Sequence, residues 1–300
     1  VNNLFIATAS SQFYRYNTSS GVFIGEDMTG LASGGVQCGG LLVYHKATNQ
    51  LFIGSSSDAA AGNAKFGVYN VSSDIAKTLT DNDIFQGGNR PSTIALDNVL
   101  NLVYAVRGNR LLVYNITSNL TYTTNAMPPN VNAFADHSYA DNVSGLLIVV
   151  GYDNSASDPE MWIYNHTANT SVNIAVPNNI ANRQIHTIIK RTKPDSPLFF
   201  VGGSNQFFYY NLSSNTTTDL VGHNYGSGSI LGLAYIPDID VIYAFGNIDN
   251  SNSYQFGYNI SSNTTFNLTN NFTVNIGSNN DMDCCGIVNL WGNTIVIANT

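Results

Sequence analysis

The stretch YNLSSNTT, Tyr210 to Thr217, returns through the chain with small changes. It reads YNTSSG from Tyr16, YNVSSD from Tyr69, YNITSN from Tyr114, YNHTAN from Tyr164 and YNISSN from Tyr258. The tyrosines of the six copies are separated by 53, 45, 50, 46 and 48 residues. A repeat of roughly 40 to 50 residues is the length of one four-stranded propeller blade.

Four short apolar runs recur within each period, bounded by turn-forming residues as strands should be. From Ile230 they read ILGLAYI, DVIYAFG, SYQFGYN and TTFNLT; from Thr93 they read TIALDN, NLVYAVRG, RLLVYN and LTYTT. The runs are rich in Val, Ile, Phe and Tyr, which suit a pleated surface packed on both faces. The pattern predicts an all-β chain, a β-propeller of four-stranded antiparallel blades, with residues 1–300 as one domain. In each blade the tyrosine would close the third strand, and the Asn-rich segment would turn into the fourth. Asn and Ser bond their own backbone in such turns and tolerate left-handed conformations.

The ends are counted separately. VNNLFIATASSQFYRYNTSSGVFIG supplies only second, third and fourth strands, while CCGIVNLWGNTIVIANT supplies a first strand and then another of the second kind. Six blades are expected, closed by pairing of the N- and C-terminal strands; seven blades, or an excerpt of a longer chain, are the alternatives. The surplus NTIVIANT matches VNNLFIAT in pattern, so it could compete with it or pair with another molecule.

The segment YAVRGNRLLVYNITSN, Tyr104 to Asn119, carries a further rhythm. Here the chain resembles the YVTN-type and kelch-like propeller repeats, and the resemblance extends over nearly its whole length. It implies a propeller, often on a cell surface, and brings no catalytic residues with it.

Charged residues make up 10% of the chain, against about 25% in an ordinary soluble protein. Asn, Ser and Thr must therefore keep the surface hydrated. A formal charge of −8 with 11 Lys and Arg argues against a nucleic-acid partner, whose phosphates need clustered cations. The longest apolar stretch, GLLIVVGY from Gly145, is strand-length, so no membrane insertion is expected. The chain starts at Val1 without a charged, apolar leader, which fits a mature form or an excised segment.

Asn-x-Ser/Thr, the acceptor pattern for N-glycans, occurs at Asn17, Asn70, Asn115, Asn119, Asn142, Asn165, Asn169, Asn211, Asn215, Asn259, Asn263, Asn267 and Asn271. With 42 asparagines and 17% Ser plus Thr, chance alone gives about seven such sites, so position is the stronger argument. Asn17, Asn70, Asn115, Asn165, Asn211 and Asn259 all follow the repeated tyrosine, and Asn119, Asn169, Asn215 and Asn263 recur four residues later. One reading is a turn that simply prefers Asn and Ser. The other is a crown of covalent N-glycans on one rim, which would also supply the solubility that few charges leave wanting.

Cys38, in VQCGGLLVY, and the pair Cys284 and Cys285, in DMDCCGIVN, stand at matching positions before an inner strand. If the tail completes the first blade, a disulfide from Cys38 to Cys284 or Cys285 would staple the closure, worth about 4 to 5 kcal/mol in the chain-entropy model. Three buried free thiols are the alternative. No His falls at ligand spacing to the cysteine pair, so no metal is expected. No cofactor is expected either.

Propellers commonly work through loops at the channel mouth. The segments entering the inner strands carry Arg90, Asp136, His137, Arg183, His186, His223, Asp281 and Asp283. Asp136 beside His137 has the residue types of a general base, and scattered His could ligate a metal. Polar side chains at such a mouth are also what solvated loops contain. The GxSxG elbow and the Asp-box are absent, and DND from Asp81 and DNSNS from Asp249 lack the full spacing of a calcium loop. The 17 Tyr and 15 Phe read as blade core.

Together these features predict a secreted, N-glycosylated propeller at an extracellular surface. It would serve as a structural or interaction module, with self-assembly through its terminal strands into a coat or filament. A glycan- or protein-binding receptor, with Trp162 and Trp291 as candidate contacts, is the second reading. An enzyme with its site at the channel mouth is the third.

Overall fold

In a computed structural model the chain forms 25 strands and, among the described residues, no helix. The described residues are 3–7, 13–17, 19–25, 42–55, 65–79, 91–107, 110–124, 133–153, 158–177, 184–193, 196–220, 228–249, 252–267, 285–290 and 293–298. Five four-stranded sheets are antiparallel meanders in chain order, and each is a propeller blade. A three-stranded sheet precedes them and a two-stranded one follows, a count consistent with six blades.

The chain groups into two compact units, Val1–Ile148 with Ile163–Val172, and Val149–Trp162 with Asn173–Thr300. The first unit opens with the three-stranded sheet β1 (Asn3–Ala7), β2 (Phe13–Asn17) and β3 (Val22–Gly25). Then come the blade β4 (Leu42–His45), β5 (Gln50–Ser55), β6 (Lys65–Asn70), β7 (Ile75–Thr78) and the blade β8 (Thr93–Asp97), β9 (Leu102–Arg107), β10 (Arg110–Asn115), β11 (Leu120–Thr124). The boundary between the units passes through the next blade, β12 (Ala133–Asp141), β13 (Leu146–Asp153), β14 (Asp158–Asn165), β15 (Thr170–Ile174).

The second unit continues with β16 (Ile185–Lys190), β17 (Leu198–Gly203), β18 (Gln206–Asn211), β19 (Thr216–Asp219). It then has β20 (Ser229–Ile236), β21 (Val241–Asp249), β22 (Asn252–Asn259), β23 (Thr264–Asn267), and ends with β24 (Cys285–Leu290) and β25 (Asn293–Ala298). The four runs read from Thr93 and the four from Ile230 are the strands of two blades, within a few residues at each end. β24 pairs antiparallel with β25, so the surplus strand takes the ladder position that ring closure would give to β1.

Each unit packs its blades through aromatic and branched side chains. In the first, Phe52, Phe66 and Val68 of one blade meet Val103, Leu112 and Tyr114 of the next, with Phe52 and Tyr114 rings 5.5 Å apart. In the second, Phe200 and Phe207 meet Phe256 and Tyr258, with the Phe207 ring 5.5 Å from each and nearly perpendicular to both. Burying one such side chain contributes about 1.5–3 kcal/mol, so these contacts dominate blade stacking. Trp162 is fully buried.

Candidate functional site

The repeated motif forms one hairpin corner, capped by asparagine in every copy and held by the tyrosine in five. In the second unit, Tyr210 and Asn211 end β18, and the asparagine Oδ1 accepts the backbone N–H groups of Ser213 (3.0 Å) and Ser214 (3.3 Å). The chain then needs a left-handed residue to re-enter the ladder, and Asn215 supplies it at φ 53°. Tyr210 donates its hydroxyl to Asn215 Oδ1 at 2.9 Å and so fixes that residue. The tyrosine thus holds the last residue of the turn while the asparagine beside it caps the first. The sequence pattern disclosed the cap but not the tyrosine bond, which its constant five-residue spacing could have suggested.

The other copies repeat this chemistry. Tyr258 donates to Asn263, Tyr164 to Asn169 and Tyr114 to Asn119, at 2.8, 3.2 and 2.8 Å. Tyr69 donates to Asp74 at 2.7 Å, where a carboxylate replaces the amide. In the first copy the left-handed residue is Gly21, at φ 71°. The caps recur at Asn17, Asn70, Asn115, Asn165 and Asn259, each accepting from the backbone N–H three residues on.

The hairpin between first and second strands lies at the same end of a blade, and parts of the same device recur there with different residues. Tyr44 donates to Asn49 and Tyr235 to Asp240. In two other blades the cap there is an aspartate: Asp97 Oδ1 accepts from Val99 and Leu100 at 2.8 Å each, and Asp141 accepts from Val143 and Ser144. Backbone bonds stitch the two hairpins together, from Val71 to Asn49, Ile116 to Asn101 and Ile260 to Asp240. His166 stands in sequence where these aliphatics stand. Its ring lies 6.0–6.4 Å from those of Tyr122, Tyr104 and Tyr164, and burial pushes its imidazole down against an upward pull from Asp97.

Two differences separate the corners. The caps Asp97 and Asp141 are buried, whereas the six Asn caps are half-buried. Two residues after the cap, the first-strand hairpins carry Val99 and Val143, but the repeated corners carry Ser19, Ser72, Thr117, Thr167, Ser213 and Ser261, all exposed. A carboxylate caps such a turn as well as an amide does, and the turn itself asks of that second position only a backbone N–H, although Ser72 Oγ also accepts from Asn49 Nδ2 at 2.6 Å and Ser261 Oγ donates to Asp240 at 3.0 Å. Turn geometry therefore does not account for Asn followed by Ser or Thr in six copies out of six.

Of the remaining sequence-predicted residues, only some fall among the described ones. Asn142 lies on a hairpin between first and second strands, and Asn267 ends β23. Asn271, Cys38, Cys284, Arg90, Arg183, His223, Asp281, Asp283, Asp81, Asp83 and Trp291 lie outside the described residues, as do the side chains of Cys285, Asp136 and Asp249. Asp136 and His137 sit within β12 and His186 within β16, in strands rather than in the loops ahead of them. His186 is the extra residue of a β-bulge in the β16–β17 ladder, and its Nε2 lies 3.2 Å from Ser204 Oγ. Ser204 Oγ lies in turn 3.1 Å from Ser229 Oγ.

One cluster escaped the sequence reading altogether. Asp240 takes Arg191 bidentately (2.9 and 2.6 Å), Tyr235 at 2.9 Å, Ser261 at 3.0 Å and Lys193 at 3.0 Å. Burial pushes its carboxyl up, yet these donors together hold it well below the usual carboxylate range. The partners come from two blades, out of the β16–β17 loop, the strand β20 and the β22–β23 turn, a juxtaposition that no local spacing reveals.

In fold the chain is similar to a chain in the crystal structure of the mitotic checkpoint complex, at 16% identity and TM-score 0.64, covering 89% of this chain and 76% of that one. It is similar to U3-55K at 12% identity and TM-score 0.61, covering 89% and 77%. It is also similar to a chain of the nidogen/laminin complex at 11% and 0.54, covering 88% and 92%. At these identities the likeness is one of fold, the β-propeller. No protein-family model and no curated protein matches the chain.

Proposed function

We propose that this propeller is a secreted, N-glycosylated structural or interaction module of an extracellular surface, with its glycans on the repeated hairpin corners. The observation that carries the reading is the asymmetry between the two hairpins of a blade. Where the cap is buried it is Asp97 or Asp141; at the repeated, more open corners it is Asn in every copy, with an exposed Ser or Thr two residues on. The cap uses Asn Oδ1 and leaves Nδ2, the atom a glycan is joined to, outside the turn's own bonding. Sugars at these corners also account for a surface with so few charges.

The left-handed positions carry less weight. Gly21 and Asp74 stand there in two copies, so Asn119, Asn169, Asn215 and Asn263 answer the need for a left-handed residue and a tyrosine acceptor. We expect their occupancy to fall below that of the caps. A propeller whose repeats have the YVTN-type or kelch-like rhythm fits a surface role, as does a disulfide from Cys38 to Cys284 or Cys285. The surplus strand β25, patterned like β1, would serve strand-adding self-assembly into a coat or filament. Expression in a secreting host, followed by peptide-N-glycosidase treatment and peptide mapping, tests the reading. Bare caps in secreted protein would refute it.

The His186–Ser204–Ser229 chain favours a second reading, a ligand or substrate site at the opposite blade end. Loss of ligand binding or turnover in His186→Ala, with His137→Ala as comparison, would support it.

A further inference from the structure

Asn142 is the one sequon on a first-strand hairpin among the described residues, and its surroundings differ from those of the repeated corners. Its Oδ1 accepts the backbone N–H of Asn98 at 2.7 Å, tying the tip of the 142–145 hairpin to the 98–101 hairpin of the preceding blade. The tips are close elsewhere too: a Cβ at Gly145 would stand 3.4 Å from Leu100 Cδ1. The side chains carried by this paired tip are aliphatic. Val143 is 84% exposed, Val99 66% and Leu100 38%. Both hairpins owe that exposure to their caps, because Asp97 and Asp141 draw the backbone of these same residues inward and turn the side chains out.

Three exposed aliphatic side chains on two hairpin tips that are bonded to each other invite association in water. Asn142 precedes Val143 and bonds the residue before Val99, while Asn98, its counterpart, is followed by Val99 and Leu100 and is no acceptor. We propose that a glycan on Asn142 covers the Val99, Leu100 and Val143 tip, with the apolar face of its first sugar as the occupant. The proposal rests on the glycosylated reading above and adds a duty for one site. This glycan shields a patch that would otherwise self-associate, whereas those on the repeated corners hydrate the surface.

The test compares secreted wild-type protein with Asn142→Asp, which keeps an acceptor for Asn98 N–H, and with Ser144→Ala, which keeps Asn142 and removes the acceptor pattern. Asn115→Asp, on a repeated corner, is the control for losing any one glycan. Peptide mapping should find Asn142 occupied. Both Asn142→Asp and Ser144→Ala should bind several-fold more of an environment-sensitive apolar dye and elute earlier on gel filtration, with Asn115→Asp unchanged. Adding Val99→Thr and Val143→Thr to Asn142→Asp should restore wild-type behaviour. A bare Asn142 beside occupied cap asparagines overturns the proposal and leaves the glycosylated reading intact. So does an occupied Asn142 whose loss changes neither dye binding nor elution. Bare asparagines throughout would instead strike the reading on which it rests.

Discussion

At Asp240 a single carboxylate collects an arginine, a lysine, a tyrosine and a serine, and its titration is therefore coupled to folding. Its native value lies below that of the unfolded chain, so its contribution is present above the unfolded value, near 4. That contribution is lost as pH falls below about 4 towards the native value. Asp240→Asn should cost about 3 kcal/mol at neutral pH and flatten the acid limb of a urea-denaturation pH profile. An unchanged acid limb would mean that the carboxylate is already solvated. The cap makes a finer test of why asparagine was chosen. In protein made without glycans, Asn211→Asp should change stability by less than about 0.5 kcal/mol, whereas Asn211→Ala, which deletes the acceptor, should cost about 1 kcal/mol. Tyr210→Phe should cost about 1 kcal/mol through the lost bond to Asn215. If Asp destabilises as much as Ala, the turn itself demands asparagine and the argument for sugars weakens.

Among the elements, the strands were legible because periodicity and turn residues are local. TIALDN, NLVYAVRG, RLLVYN and LTYTT became β8 to β11 almost residue for residue. What the pattern could not show was where ladders slip. Bulges in the β16–β17 and β20–β21 ladders each face a glycine of the second strand, Gly203 and Gly246. A Cβ at either would collide with a backbone carbonyl, of Gln184 and of Ser229. At Gly257 a Cβ would instead meet the ring of Phe266, a side chain that is 40% exposed and able to move. Gly246→Ala should therefore cost about 2 kcal/mol or more in equilibrium unfolding, and clearly more than Gly257→Ala. The reverse order would show that the bulge adapts more readily than the ring. His186 illustrates the same limit: the sequence placed it in a segment entering an inner strand, whereas it lies within β16 and its contact with Ser204 follows from the bulge.

At the scale of the whole molecule, the fold was carried by repetition: six tyrosine-led turns at blade spacing, answered by blades of the expected composition. The candidate site was legible in part. The sequons could be counted, but their meaning depended on comparing two hairpins of one blade, one capped by a buried carboxylate and the other by an open amide. That comparison needs burial, which no linear pattern supplies. The Asp240 cluster was invisible for a related reason, since its donors lie up to 49 residues from the carboxylate.

The central claim is that the open corners carry asparagine because they carry sugar. Site-resolved mass spectrometry of protein secreted from a glycosylating host tests it most directly. The expected result is high occupancy at Asn17, Asn70, Asn115, Asn165, Asn211 and Asn259, with lower occupancy at Asn119, Asn169, Asn215 and Asn263. Unmodified asparagine at all six caps would contradict the account and leave the repeat as turn chemistry alone.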